Sequence, residues 1–90
     1  MIQLQVLNYL LDTKDSSFLL MNNLTEDFFS DYKDEFNWIK THYEDYGVLP
    51  DKVSFVGKFP YFDVIEVHET PKYLLDALYE DKNRRELSFL

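Results

Sequence analysis

His42 and His68 are the only two histidines of the chain, and the only side chains whose ordinary pKa places a charge change near neutral pH. Each has acidic neighbours: Glu44 and Asp45 beside the first, Glu66 and Glu69 beside the second. A His–carboxylate metal or acid–base centre is therefore the first chemistry to weigh. Against it, the spacing lacks the H-E-x-x-H pattern that sets two ligands on one helical face. Cysteine is absent, so there is neither a thiolate metal site nor a disulfide framework. Ser16, Ser17, Ser30, Ser54 and Ser88 lie in no nucleophile-elbow context and read as caps or exposed positions. The acid pairs Asp34-Glu35 and Glu44-Asp45 serve acid–base chemistry only inside a pocket; on an amphipathic helix they form a solvated face. With Gly47 and Gly57 as the only glycines, a glycine-rich phosphate loop is excluded. The reading is a chain with no catalytic, metal-binding or cofactor-binding residues. A small hydrolase built on His42 or His68 is the remote alternative.

The element that organises the rest lies between Leu24 and Pro50. Tyr32, Phe36, Ile39, Tyr43 and Tyr46 recur at intervals of 4, 3, 4 and 3, which puts all five on one helical face. Ser30 is expected as its N-cap, with Asp31, Asp34 and Glu35 on the positive end of the dipole. Gly47 is expected to end it in the left-handed conformation, with Val48 packing back on Tyr43. Before it, a first helix runs from about residue 2 to about residue 13, apolar around much of its circumference. Ser16 and Ser17 are expected to cap a short second helix through Phe18, Leu19, Leu20 and Met21, ended by Asn22 and Asn23. Thr25 caps one turn that faces Phe28 and Phe29 inward. Further on, Asp51 caps a short helix from Lys52 to about Lys58, weakened by Gly57 and stopped by Pro60. Tyr61 to Val67 is the only β-like run; lacking a partner strand, it reads as an extended connector. Thr70-Pro71 opens a last helix, whose first half buries Tyr73, Leu74, Ala77 and Leu78. Its second half carries the pairs Glu80–Arg84 and Asp81–Arg85, with little to bury, before apolar residues return at Leu87, Phe89 and Leu90. The expected fold is all-α: a small single-domain bundle of about five to six helices over residues 1–90.

Composition narrows the function class. A chain of 90 residues buries about 60–65% of its unfolded surface, a thin margin offset here by an aromatic content of 18%. The net charge of −8 excludes a phosphate-neutralising surface, because Lys82, Arg84 and Arg85 sit among Glu80, Asp81 and Glu86. Direct nucleic-acid binding and attraction to anionic membranes are therefore not expected, and a basic partner protein is the sharper reading of the acidity. No signal peptide is evident, and the opening apolar run is too short to span a bilayer. With no cysteine, a cytoplasmic setting is expected.

The order of elements resembles the N-terminal domain of DnaB-type replicative helicases, in phage-borne or low-GC bacterial form. Gln3-Leu4-Gln5-Val6-Leu7-Asn8-Tyr9-Leu10-Leu11 resembles that family's opening E-x-x-V-L-G-x-L-L. Leu24 to Phe29 matches its L-x-x-x-D-F-Y turn, and Phe36 with Ile39 to Gly47 its following helix and terminal glycine. Pro50-Asp51 with Val53-Ser54-Phe55 resembles its P-x-D-x-x-T-L, shifted by one at the proline. Arg84-Arg85-Glu86-Leu87 resembles the arginine-rich patch in the first arm of its helical hairpin. The chain departs at position 3, where Gln replaces an acid, and at Asn8, which replaces a glycine. The resemblance implies that the last helix is a truncated first hairpin arm, and that the second arm and the ATPase domain are absent from this chain. It further implies a non-catalytic collar domain of an ATP-dependent DNA helicase. Such a domain self-associates through the hairpin and docks primase or a helicase loader during DNA replication. Candidate interface residues are Arg84, Arg85, Leu87, Phe89 and Leu90. The alternative is a free-standing small phage or bacterial protein that binds and regulates a replication factor.

Overall fold

The computed structural model describes residues 1–87. It contains five α-helices: α1 (Ile2–Thr13), α2 (Ser16–Met21), α3 (Lys33–Tyr46), α4 (Lys52–Lys58) and α5 (Pro71–Leu87). A single 3-10 turn, Glu26–Phe29, lies between α2 and α3, and no strand occurs among the described residues. The all-α bundle expected from the sequence is what the chain forms.

The centre is α1. Val6, Leu7, Leu10 and Leu11 are buried along it, and the buried faces of the other elements gather on the same core: Phe18 and Leu19 of α2, Phe36 and Ile39 of α3, Phe55 of α4, Leu74 and Leu78 of α5. Aromatic rings continue the core outward. Phe29 stacks on Phe36 at 4.5 Å between centroids, Phe55 meets Phe62 edge-on at 4.8 Å, and Trp38 lies about 6 Å from both Phe55 and Phe59. Such stacked and edge-to-face pairs add to the area term that dominates a core of this size.

Helix ends follow local chemistry, with three corrections. α3 begins at Lys33 rather than at Ser30: Tyr32 occupies the cap position and makes no side-chain cap bond. The Ser30 hydroxyl instead accepts a hydrogen bond from Gln3 Nε2 at 3.2 Å, so a tertiary partner has taken it from the helix end. α2 is capped by Asp15, whose carboxylate accepts from the Phe18 N–H, and not by Ser16 or Ser17; the Ser17 hydroxyl donates to the same carboxylate. Thr25 holds the cap position of the 3-10 turn but makes no side-chain cap bond. At the remaining ends the signals hold. Gly47 closes α3 at φ 77°, donating its N–H to the Tyr43 carbonyl at 2.7 Å. Asp51 caps α4 through the Val53 N–H, and Thr70 Oγ1 accepts from the Tyr73 N–H at the start of α5. The α3 stripe is narrower than its spacing implies: Phe36 and Ile39 are fully buried, while Tyr46 is 72% exposed. Val48 and Tyr73 are also exposed, as are Leu20 and Met21 at the end of α2.

The segment from Tyr61 to Val67 pairs with no strand; Tyr61 itself lies in a turn, closed by the Phe62 N–H donating to the Phe59 carbonyl at 3.0 Å. Its backbone is held by one side chain. Asn8, fully buried on α1, donates through Nδ2 to the Asp63 carbonyl at 3.1 Å and accepts at Oδ1 from the Ile65 N–H at 3.0 Å. The amide thus stands in for the missing strand, supplying one donor and one acceptor to a segment that has no ladder.

Candidate protein interface

The second half of α5 carries the residues that the sequence offers for contact between proteins. Its two charge pairs form as their spacing implies: Arg84 Nη2 lies 3.3 Å from Glu80 Oε1, and Arg85 Nε lies 3.1 Å from Asp81 Oδ2. The two arginines then diverge. Arg84 stays on the solvent side, with both members of its pair largely exposed. Arg85 turns inward, donating from Nη1 to the Asp27 carbonyl at 3.1 Å and from Nη2 to the Phe28 carbonyl at 3.4 Å. Those carbonyls belong to the 3-10 turn, so Arg85 is a clamp within the molecule.

Three further side chains hold α5 in place, two of them on Phe28 of that turn and one on α1. Tyr79 meets Phe28 edge-on at 5.2 Å and donates its hydroxyl to the Asn22 carbonyl at 3.2 Å. Lys82 Nζ sits 5.3 Å above the Phe28 ring and also pairs with Glu86. Asp81 accepts from Gln3 Nε2 at 3.2 Å, and Gln3 Oε1 accepts from the Asp31 N–H at 2.9 Å. Gln3 is 1% exposed and joins α1, α5 and the chain leading into α3 through one amide. Among the described residues no buried side-chain nitrogen or oxygen lacks a partner, which is what a small core needs when it takes in polar groups.

The second half of α5 therefore holds more than its sparse apolar residues imply. Apolar residues are indeed sparse after Leu78, but the helix is fixed there by Tyr79, Asp81, Lys82 and Arg85. Beyond that clamp Leu87 is 64% exposed. Phe89 and Leu90, the other two candidates, lie outside the described residues. Gln3 and Asn8 were missed as positioning residues. Their one signal was a polar side chain on an otherwise apolar helical face, and that pattern does not say which partner it meets.

The groups weighed for chemistry are dispersed. His42 Nδ1 is 2.9 Å from the Val48 carbonyl, with its ring packed against Trp38 and Tyr46. His68 meets only Glu66, at 3.2 Å on the exposed connector. Among the described residues no group of three or more His, Cys, Asp or Glu is placed to hold a metal ion, and no helix is long and apolar enough to cross a membrane. Two titrating groups stand out at the α1–α2 junction. Hydrogen bonds from Ser17 and then Tyr9 hold the Asp15 carboxyl below its ordinary range. Burial, together with the bond to Asp15, pushes the Tyr9 hydroxyl up. They lock the junction.

A second surface feature lies away from α5. Tyr32, Phe59, Tyr61 and Phe62 line a cavity of about 320 Å³ together with Glu35, Lys58, Pro60 and Asp63. A more open depression of about 490 Å³ continues from it past Lys58 and Phe59 to Asp34, Asn37, Trp38 and Thr41. No protein-family model, curated protein or solved structure matches the chain.

Proposed function

We propose that this chain is a non-catalytic docking and assembly module, of the kind that forms the collar of DnaB-type replicative helicases. The observation that carries the docking part is the geometry of α5. The helix is clamped along its second half by Arg85, Lys82 and Tyr79, yet presents Leu87 at 64% exposure just past the clamp. A rigidly held helix end with an uncovered apolar residue binds with little ordering cost, because the receptor side is already fixed. Arg84, on the solvent side of the same turn, supplies a charge at the rim. Arg85 is committed inward, so its part in self-association is indirect, through the placement of α5. The helicase part of the reading rests on the order and spacing of the motifs from Gln3 to Leu87, and the comparisons with known proteins add nothing to it.

The helicase assignment is tested by the size of the native gene product, read by immunoblot of source cells with antibody raised against this chain. A product several times the 10.9 kDa of these residues, bearing an ATPase domain, supports the collar reading. A product of that small mass replaces it with a free-standing regulator that binds a replication factor. The net charge of −8 suits such a regulator to a basic partner.

A further inference from the structure

The cavity between α3, α4 and the connector has a composition that a core does not explain. Four aromatic residues, Tyr32, Phe59, Tyr61 and Phe62, line it together with the acidic residues Glu35 and Asp63. Tyr61 is 97% exposed, so its ring contributes almost nothing to the fold. Phe62, the next residue, is buried and anchors the connector against Phe55 and Tyr32. One residue of the pair therefore fixes the backbone, and the other is displayed at the cavity mouth. The charge is unbalanced: across the cavity and its continuation, Asp34, Glu35 and Asp63 stand against Lys58. The Tyr32 hydroxyl registers the same field. Its pKa is raised first by burial and then by the negative charges of Asp63, Asp31 and Glu35.

Ring faces attract cations, and the attraction grows when the cation is partly desolvated. Carboxylates beside the rings add charge-assisted hydrogen bonds. A planar guanidinium uses both at once, stacking on a ring while its N–H fork meets a carboxylate, which an ammonium does less well. The size fits as well: about 320 Å³ lies at the small end of the roughly 300–1,000 Å³ range of binding pockets, room for a side chain rather than a cofactor.

We propose that this groove docks a basic segment of a partner protein, seating an arginine side chain among Tyr32, Phe59, Tyr61 and Phe62 with Glu35 and Asp63 as its counter-charges. The occupant follows from charge complementarity. An acid-flanked aromatic cavity on an acidic chain repels nucleic acid and anionic lipid, and attracts a cationic peptide. The groove shares no lining residue with α5, so the inference goes beyond the assembly reading and stands or falls without it.

The test is an NMR titration of the whole chain with the acetylated, amidated peptide Ala-Arg-Ala-Arg-Ala at physiological salt. The same sequence with citrulline, the neutral isostere of arginine, is titrated alongside. The expected result is amide shifts clustered at Glu35, Lys58, Tyr61 and Asp63 with the arginine peptide and not with the citrulline one. Glu35→Gln with Asp63→Asn weakens binding by about tenfold, the loss of two partly exposed charge-assisted contacts. Tyr61→Ala weakens it about threefold, a cation–π contact at a wet site. Tyr61 and Asp63 are exposed side chains, so these variants keep the fold, and their unperturbed spectra verify it. Glu44→Gln with Asp45→Asn removes the same two charges further along α3, outside the groove, and leaves affinity within about twofold. An equal loss in that control pair, equal binding of the citrulline peptide, or no clustered shifts up to millimolar peptide overturns the proposal.

Discussion

Replacing Asn8 with leucine removes the one side chain that holds the connector on α1 while nearly preserving shape. Asn8 makes three hydrogen bonds: to the Leu4 carbonyl at 3.0 Å, to the Asp63 carbonyl at 3.1 Å and from the Ile65 N–H at 3.0 Å. The first is redundant, since the Leu4 carbonyl also takes the ordinary helical bond from the backbone four residues on. The other two have no backbone substitute, because residues 61–67 form no ladder. A neutral hydrogen bond is worth about 1 kcal/mol net, and an orphaned buried partner adds about 1–3 kcal/mol unless water reaches it. The connector is partly exposed, so it lifts to meet water instead of remaining dry and unpaired. The expected loss is therefore about 2–3 kcal/mol: two hydrogen bonds at about 1 kcal/mol each, with little of the orphan penalty. For a domain of this length that corresponds to a fall in Tm of roughly 10–20 °C. Urea denaturation followed by circular dichroism measures the total, and hydrogen exchange at the Ile65 amide measures the local release. The reasoning fails if Asn8→Leu loses less than about 0.5 kcal/mol, or if Ile65 exchanges no faster relative to the core amides of α1.

Further expectations come from the same network and from the α1–α2 junction. Gln3→Glu, the acidic type that the helicase resemblance places at this position, sets a carboxylate against Asp81 and removes the donor to Ser30; urea unfolding at neutral pH is expected to show a loss of about 2 kcal/mol or more. Arg85→Ala releases α5 from the 3-10 turn and costs about 1–2 kcal/mol by the same assay, whereas Arg84→Ala stays within about 0.5 kcal/mol because its pair is exposed. Asp15 has a folded pKa below its unfolded value, so its contribution is present above the unfolded pKa and is lost as pH falls through the folded one. The stability difference between wild type and Asp15→Asn is therefore expected to be constant above about pH 5 and to shrink as pH falls below about 4. A difference independent of pH across that window would remove the carboxylate from the account of the junction.

Much of the fold was legible because it is local. The cap at Asp51, the stop at Gly47 and the Thr70-Pro71 start each depend on a residue and its near neighbours, and each stands where the sequence put it. Ser30 shows where local reasoning ends. As a cap it was the best residue in its stretch, but Gln3, 27 residues earlier, takes its hydroxyl, and α3 starts three residues later without a side-chain cap. Gln3 and Asn8 were visible only as polar side chains on an apolar helix and as departures from a family pattern. Their partners lie between 27 and 78 residues away, and no periodicity encodes such a bond. The candidate interface divides in the same way. The Glu80–Arg84 and Asp81–Arg85 pairs follow from spacing, whereas the inward turn of Arg85 depends on two carbonyls of a distant turn. The aromatic cavity was hidden because Tyr32 read as part of the α3 stripe and Tyr61 and Phe62 as one connector; only the fold brings them together and separates exposed Tyr61 from buried Phe62.

Light scattering coupled to size-exclusion chromatography, run over a concentration series on the full native gene product and on its Leu87→Glu form, tests the assembly claim most directly. Burying one leucine side chain contributes about 1.5–3 kcal/mol, so placing a charge there is expected to weaken self-association by at least about tenfold while helical content is unchanged. A wild-type protein that stays monomeric throughout the series, or a Leu87→Glu form that assembles as readily as wild type, contradicts the account.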